Sequence, residues 1–212
     1  MLRIGCSAVL FDLDGVLVDS TQYVEHQWRE WAKWRGLDPA PFLRVCHGRR
    51  ALETIRLAAP ELDAEAEVAR FREVPVAEEP VLHAVPGAAE LLAALPAGAW
   101  AVVTSGSRPM ATRRLTSAGL PVPGVLVTAE DVRHGKPSPE GYLRAAERLG
   151  VPPADCVVIE DAPPGIEAAL AAGMTAVGLT TTHSPAELAA AHHRIASLAE
   201  LRFILPSAAP RT

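Results

Sequence analysis

Four short runs along the chain are apolar at consecutive positions: Cys6–Phe11 (CSAVLF), Ala99–Val103, Cys156–Ile159 and, more weakly, Thr175–Leu179 after Gly173. A strand with one wet face alternates apolar and polar residues. A continuous apolar run suits a strand buried on both faces of a parallel sheet. Between these runs, Gly87–Leu95, Arg108–Ala118, Pro139–Leu149 and Pro164–Ala172 carry helical patterns of about ten residues. Strands alternating with helices predict βαβ units, hence an α/β fold with a Rossmann-like parallel sheet and helices on both faces.

The stretch from Ser20 to Arg72 breaks that rhythm, because it holds no strand-like run. Val24, Trp28, Trp31 and Arg35 fall at helical spacing, with Gly36 as the stop. Arg49–Ala59 and Glu61–Arg72 continue as helices, the three tryptophans Trp28, Trp31 and Trp34 read as packing inside this unit, and Val74–Pro86 reads as the return. The expectation is a small helical cap domain, residues 19–83, inserted after the first strand, with residues 1–18 and 84–212 forming the core. The tail beyond Pro206 is expected to fray, and no internal repeat is visible.

Composition narrows the function classes. At 212 residues, the chain can bury roughly 70% of the surface it exposes unfolded, enough for a substantial core. An apolar content of 49% argues against disorder, and a net charge of −5 gives no basic face for nucleic acid. No apolar run reaches the roughly 18–20 residues of a membrane span. The run after Arg3 meets Asp12 and Asp14 too soon for a signal peptide. Cys6, Cys46 and Cys156 are an odd set without metal-ligand spacing, as expected of reduced thiols in a cytoplasmic protein. His26, His83, His192 and His193 have no partner pattern and are read as surface residues. Of 20 basic residues only two are lysine, Lys33 and Lys136, which makes each lysine conspicuous.

In an open parallel sheet, ligands bind outside the carboxyl ends of the strands. Three strands here end in polar, reactive residues. Asp12-Leu13-Asp14-Gly15 places two carboxylates on one side of a strand end, before a residue that lets the chain turn. One carboxylate can attack phosphorus, while the other can protonate the leaving oxygen and later deprotonate water. Two anions meeting a phosphate require a cation, and hard oxygen ligands suit Mg2+. Glu160-Asp161, at another strand end, can supply more of them. Thr104-Ser105-Gly106-Ser107 offers hydroxyls and N–H groups at a helix start, which suits a phosphate. Lys136, in His134-Gly135-Lys136-Pro137, offers a compact point charge.

The ordered set strand-DxDG, strand-TSGS, GKP-helix, strand-ED resembles the haloacid dehalogenase-like hydrolase superfamily. FDLDGVLVDS (Phe11–Ser20), VVTSGS (Val102–Ser107), GKPSPEGY (Gly135–Tyr142) and IEDAPPGI (Ile159–Ile166) are similar to its four motifs, and the insert matches a class I helical cap. The resemblance implies Mg2+-dependent phosphoryl transfer through an aspartyl-phosphate. It implies Asp12 as nucleophile and metal ligand, and Asp14 as acid/base whose backbone carbonyl also binds metal. Thr104 and Ser105 would hold the phosphoryl group through the hydroxyl of one and an N–H of the other, with Gly106 beside them. Lys136 would neutralise nucleophile and phosphate, Asp161 would ligate metal, and Glu160 would assist directly or through water. Dehalogenases lack the second acid, so Asp14 favours phosphate chemistry.

Within the insert, His47-Gly48-Arg49-Arg50 with Glu53-Thr54-Ile55 resembles the HGxR…TI stretch of the sugar and polyol phosphatase branch. Arg49 or Arg50 is expected to meet a phosphate or hydroxyls, Glu53 to meet sugar hydroxyls, and His47 to line the substrate site. The expected activity is hydrolysis of a small sugar or polyol phosphate monoester by a monomer. The alternative is a hexose phosphate mutase of the β-phosphoglucomutase type. Such mutases usually carry a histidine about twelve residues after the nucleophile. Here that position is Val24, with Glu25 and His26 next to it.

Overall fold

A computed structural model of the chain describes residues 1–73 and 81–206. Its centre is a six-stranded sheet of parallel neighbours. In chain order, β1 (Leu2–Gly5) is followed by β2 (Ala8–Phe11) and the two-residue β3 (Val18–Asp19). The helices α1 (Thr21–Arg35), α2 (Ala40–Leu43), α3 (Ala51–Ala58) and α4 (Ala64–Glu73) come next. The chain continues with β4 (His83–Ala84), α5 (Ala88–Ala93), β5 (Trp100–Val103), α6 (Arg108–Ser117), β6 (Leu126–Val127) and α7 (Glu140–Leu149). It closes with β7 (Cys156–Glu160), α8 (Pro163–Ala171), β8 (Thr175–Leu179), β9 (His193–Ile195) and β10 (Leu201–Ile204). The main sheet runs β6-β5-β2-β7-β8-β9, so β2 lies inside and the crossover from one side to the other passes over it.

Successive residues of a strand face opposite ways, and the strands sort their apolar side chains accordingly. Val9, Phe11, Val102, Val157, Ile159 and Val177 pack on one face, against Leu91 and Leu92 of α5 and Ala111 and Leu115 of α6. Ala8, Leu10, Ala101, Val103 and Val158 pack on the other, against Tyr142, Ala145 and Ala146 of α7 and Ile166 of α8. Both faces are covered, which is why these strands carry continuous apolar runs.

Between β3 and β4 every described element is a helix, and the unit has its own apolar cluster. Trp28 stacks on Phe42 at 5.7 Å and meets Phe71 at 4.4 Å, while Trp31 meets Phe42 edge-on at 4.9 Å. Trp34 does not join them; it is 54% exposed, because it falls on the outer face of α1. The exit from and return to the core are stitched by antiparallel pairing of Val18 with Ala84 and Asp19 with His83.

Most core elements fall within one or two residues of their sequence patterns. The first strand begins at Ala8 rather than Cys6, because Cys6 N–H bonds to Ile204 in continuation of the β1–β10 pair and Ser7 N–H bonds to Asp155. The expected return segment lies partly, and the expected frayed tail wholly, outside the described residues. His26, His83, His192 and His193 are exposed, and the three cysteines are buried and unpaired with one another. Among the described residues no helix is long and apolar enough to cross a membrane.

Candidate active site

The order β5-β2-β7 brings three strand ends side by side. Thr104 follows β5, Asp12 follows β2, and Glu160 ends β7 with Asp161 next. All four side chains are buried. Lys136 arrives from the loop before α7. Its Nζ bonds to Asp12 Oδ1, to Glu160 Oε1 at 2.6 Å and to the Val103 carbonyl at 3.2 Å. Asp12 and Lys136, 124 residues apart in sequence, are therefore a buried pair.

Glu160 is fully engaged. Oε1 accepts from Lys136 and from the Tyr142 hydroxyl at 2.8 Å, and Oε2 accepts from the N–H groups of Asp161 and Ala162 at 3.0 and 3.2 Å. This packing needs a bare backbone on α8, since a Cβ at Gly165 would sit 1.7 Å from Oε1. Asp161 Oδ2 accepts from Thr182 Oγ1 at 2.5 Å. Gly15 has φ +79°, and a Cβ there would reach within 2.1 Å of the same Oδ2. The DxDG turn is thus tight for two reasons, its own backbone and the carboxylate beside it.

Asp12, Glu160 and Asp161 each offer an oxygen, with these atoms within 4.8 Å of one another. Three buried carboxyls share one ammonium. Burial pushes Asp12 up to about 7 despite Lys136, with Glu160 and Asp14 adding to the rise. Burial, Glu160 and Asp12 likewise hold Asp161 well above the usual carboxylate range. For Lys136 burial works the other way, but Asp12 and Glu160 outweigh it and hold the ammonium above its ordinary value. A cluster of hard oxygens with surplus negative charge, buried where its ionisation is opposed, fits a hard divalent cation.

Asp14 lies one turn further, 26% exposed at the side chain. Its Oδ1 accepts from Ser20 Oγ at 2.5 Å and from Arg114 of α6. Thr104 Oγ1 accepts from the Gly106 N–H at 3.1 Å, and Ser105 Oγ bonds across to the Gly48 carbonyl at 3.0 Å.

These residues open onto a cleft of about 890 Å³ between the sheet ends and the helical insert. Asp12, Asp14, Thr104, Ser105 and Gly106 line it from the core side, and His47, Arg49 and Arg50 from the insert. Burial lowers the His47 imidazole pKa below its usual value, with Glu25 at 3.5 Å opposing. Arg49 bonds to the Val45 carbonyl at 3.2 Å. Arg50 pairs with Glu53 and also reaches the carbonyls of Val132 and Arg133 at 3.2 and 3.0 Å. Glu53 in turn accepts from the Gly135 N–H at 3.3 Å. Arg50 and Glu53 thereby join the insert to the loop that carries Lys136.

Sequence reasoning missed Arg114, Tyr142 and Thr182. Arg114 is one of 18 arginines on an unremarkable helix, so no pattern marks it. Thr182 could have been found, because the run Thr180-Thr181-Thr182-His183 is a polar end to a fourth strand.

The haloacid dehalogenase-like hydrolase family matches residues 6–173. Hexitol phosphatase A of Escherichia coli (strain K12) is 47% identical over 173 residues, covering 79% of this chain and 80% of that protein. Validoxylamine A 7'-phosphate phosphatase of Streptomyces hygroscopicus subsp. limoneus is 43% identical over 211 residues, covering 92% and 95%. Among solved structures, β-phosphoglucomutase from Clostridium difficile superposes with a TM-score of 0.76 at 25% identity, covering 93% of each chain.

Proposed function

The chain belongs to the haloacid dehalogenase-like hydrolases, as a phosphatase of that family, and from that premise we propose that it hydrolyses a sugar or polyol phosphate monoester with Mg2+. The observation that carries this reading is that Asp12, Asp14 and Thr104, at or just past adjoining strand ends, line one cleft, with the Lys136 ammonium brought from the loop before α7 onto Asp12. The cleft falls within the roughly 300–1,000 Å³ of small-molecule sites. Its outer wall mixes Gln27, His47 and Arg49 with apolar side chains, which suits a polyhydroxylated leaving group. By their names, the two relatives reported above are phosphatases of a hexitol phosphate and of validoxylamine A 7'-phosphate.

Asp12 Oδ attacks phosphorus, and the bond from phosphorus to the ester oxygen breaks with its electron pair on that oxygen. Asp14 supplies the proton. Water then attacks the aspartyl-phosphate, Asp14 takes its proton, and Asp12 is regenerated with release of phosphate. Thr104 and Ser105 hold the phosphoryl oxygens, and Lys136 faces the nucleophile from behind. Asp12, Asp161 and the Asp14 carbonyl are the groups to hold Mg2+, with Glu160 one bond removed, since its four hydrogen bonds go to Lys136, Tyr142 and two N–H groups. A bound Mg2+ supplies neutralisation of the charge between nucleophile and phosphate. The unit comprising residues 19–83 acts as the cap that excludes water and selects the leaving group.

The test is phosphate release from hexitol, glycerol and hexose phosphates, with and without Mg2+. Wild type should release phosphate with Mg2+, and Asp12→Asn should release none while keeping the circular dichroism of the folded protein. Turnover in Asp12→Asn would sink the nucleophile assignment.

A further inference from the structure

The phosphatase reading needs Asp14 to deliver a proton, and the structure holds that carboxyl in an unusual way. Arg114 is 1% exposed, though it carries a full charge and stands on a core helix, α6. Its Nη1 reaches Asp14 Oδ1. Its guanidinium carbon lies 5.5 Å from the ring centroid of Tyr23 on α1. Ser20, 1% exposed and immediately before α1, bonds to the same Oδ1 at 2.5 Å. A carboxyl oxygen has two lone pairs in its plane, and two donors fill them. The pair therefore falls wholly on Oδ1.

We propose that Arg114, with Ser20, is a positioning residue for the acid/base: it fixes the Asp14 rotamer and leaves Oδ2 as the oxygen that exchanges the proton. The inference rests on the assignment of Asp14 above. In the first half-reaction the departing oxygen takes the pair from the breaking P–O bond and the proton from Oδ2. In the second, Oδ2 takes a proton from water as the water oxygen bonds to phosphorus and the bond from phosphorus to Asp12 breaks. Oδ1 stays bound to the same two donors throughout. Burying an arginine without return is costly. Part of its return here is a carboxyl held still at the boundary between core and insert, where Ser20 and Tyr23 enter the site.

The test separates esters by their need for a proton. An alkyl phosphate such as glycerol 1-phosphate loses a strongly basic alkoxide, whereas 4-nitrophenyl phosphate loses a stable phenolate that departs unprotonated. A positioned general acid contributes about 10²–10⁴-fold, so Arg114→Gln should lower kcat/KM for the alkyl ester by about 30-fold or more. It should lower that for the aryl ester by less than about 3-fold. Ser20→Ala should show the same imbalance at smaller size, and Arg114→Lys should recover part of the alkyl activity. In Asp14→Asn, adding Arg114→Gln should cost nothing further, because Arg114 acts through Asp14. Should Arg114→Gln fail to fold, Ser20→Ala and Arg114→Lys carry the comparison alone. Equal losses on both esters in those variants, or a further loss in the double variant, would overturn the proposal. Absence of wild-type turnover on both esters would instead overturn the phosphatase reading and this inference with it.

Discussion

Lys136 shows what a single residue contributes when its neighbours are named. It is 5% exposed and donates to Asp12, Glu160 and the Val103 carbonyl, three acceptors around one small ammonium. A guanidinium has the charge but not the shape, since its planar fork cannot place donors on three converging oxygens. Lys136→Arg should therefore keep the fold and lose activity by about 10²-fold or more, as for loss of an electrostatic donor at a reacting group. Steady-state phosphate release checks it, and near-full activity would remove Lys136 from the phosphate. The loop carrying Lys136 is itself fastened by Glu140, which accepts from the N–H groups of Arg133 and His134 at 3.0 Å each. Those bonds, with Arg144, lower the Glu140 carboxyl from 4.5 to about 2. A depressed pKa means stability that is present above 4.5 and lost as pH falls towards about 2. Loss of about 1 kcal/mol of hydrogen bonding shifts Tm by about 2–4 °C in a domain of this size, so Glu140→Gln should melt that much lower at pH 7. The gap to wild type should close as pH falls through that window, and a gap constant with pH would show that ionised Glu140 does not fasten the loop. Lys136 was legible because lysine is so rare here and sits between Gly135 and Pro137. Arg114 was not, because nothing local distinguishes it from the other arginines.

At the scale of elements, α3 joins two halves of the site. The loop leading into it puts Gly48 against Ser105 and Arg50 against the Val132 and Arg133 carbonyls, and its first turn puts Glu53 against the Gly135 N–H. Arg49, one residue away from Arg50, bonds to the Val45 carbonyl within the insert and faces the cleft. The two neighbours should then behave differently. Arg49→Ala should raise KM about tenfold, the value of one charged hydrogen bond, with kcat within about 3-fold. Arg50→Ala should change kcat and KM together and speed amide exchange both in α3 and in residues 132–136, because it frees two segments at once. Exchange limited to α3 would mean that the contact does not hold the Lys136 loop. The elements that sequence pattern located are those with a strong period: the strands buried on both faces and the helices of six residues or more. Those it missed are β1, the four-residue helix α2, two-residue strands such as β3, β4 and β6, too short to show any period, and β9 and β10, whose His193, Arg194 and Arg202 interrupt the apolar run. Long-range pairing decides these strands, and a local pattern contains no trace of it.

For the molecule as a whole, the likeness to a β-phosphoglucomutase structure and the likeness to phosphatases point to different reactions on one scaffold. Fold does not choose between them, because on the mechanism proposed above both reactions would begin with phosphoryl transfer to Asp12. What differs is what the phosphoenzyme meets next: water for a phosphatase, a second substrate hydroxyl for a mutase. A mutase must activate that hydroxyl and hold a bisphosphate in both orientations. Val24, at the position where such mutases usually carry a histidine, lines the cleft with an apolar side chain, and the neighbouring His26 is exposed. Between α1 and the sheet ends stands the proposed acid/base, Asp14, held on Oδ1 by Ser20 and Arg114, which leaves Oδ2 for the proton of water. This arrangement favours hydrolysis. Supplied with a hexose 1-phosphate and a catalytic amount of the corresponding 1,6-bisphosphate, the enzyme should release phosphate in step with substrate consumed. The bisphosphate should not stimulate turnover, and phosphorus NMR should show no hexose 6-phosphate beyond that formed by hydrolysis of the primer. Build-up of the 6-phosphate without net phosphate release would mean that the phosphoenzyme outlives its encounter with water, and the mutase reading would take precedence.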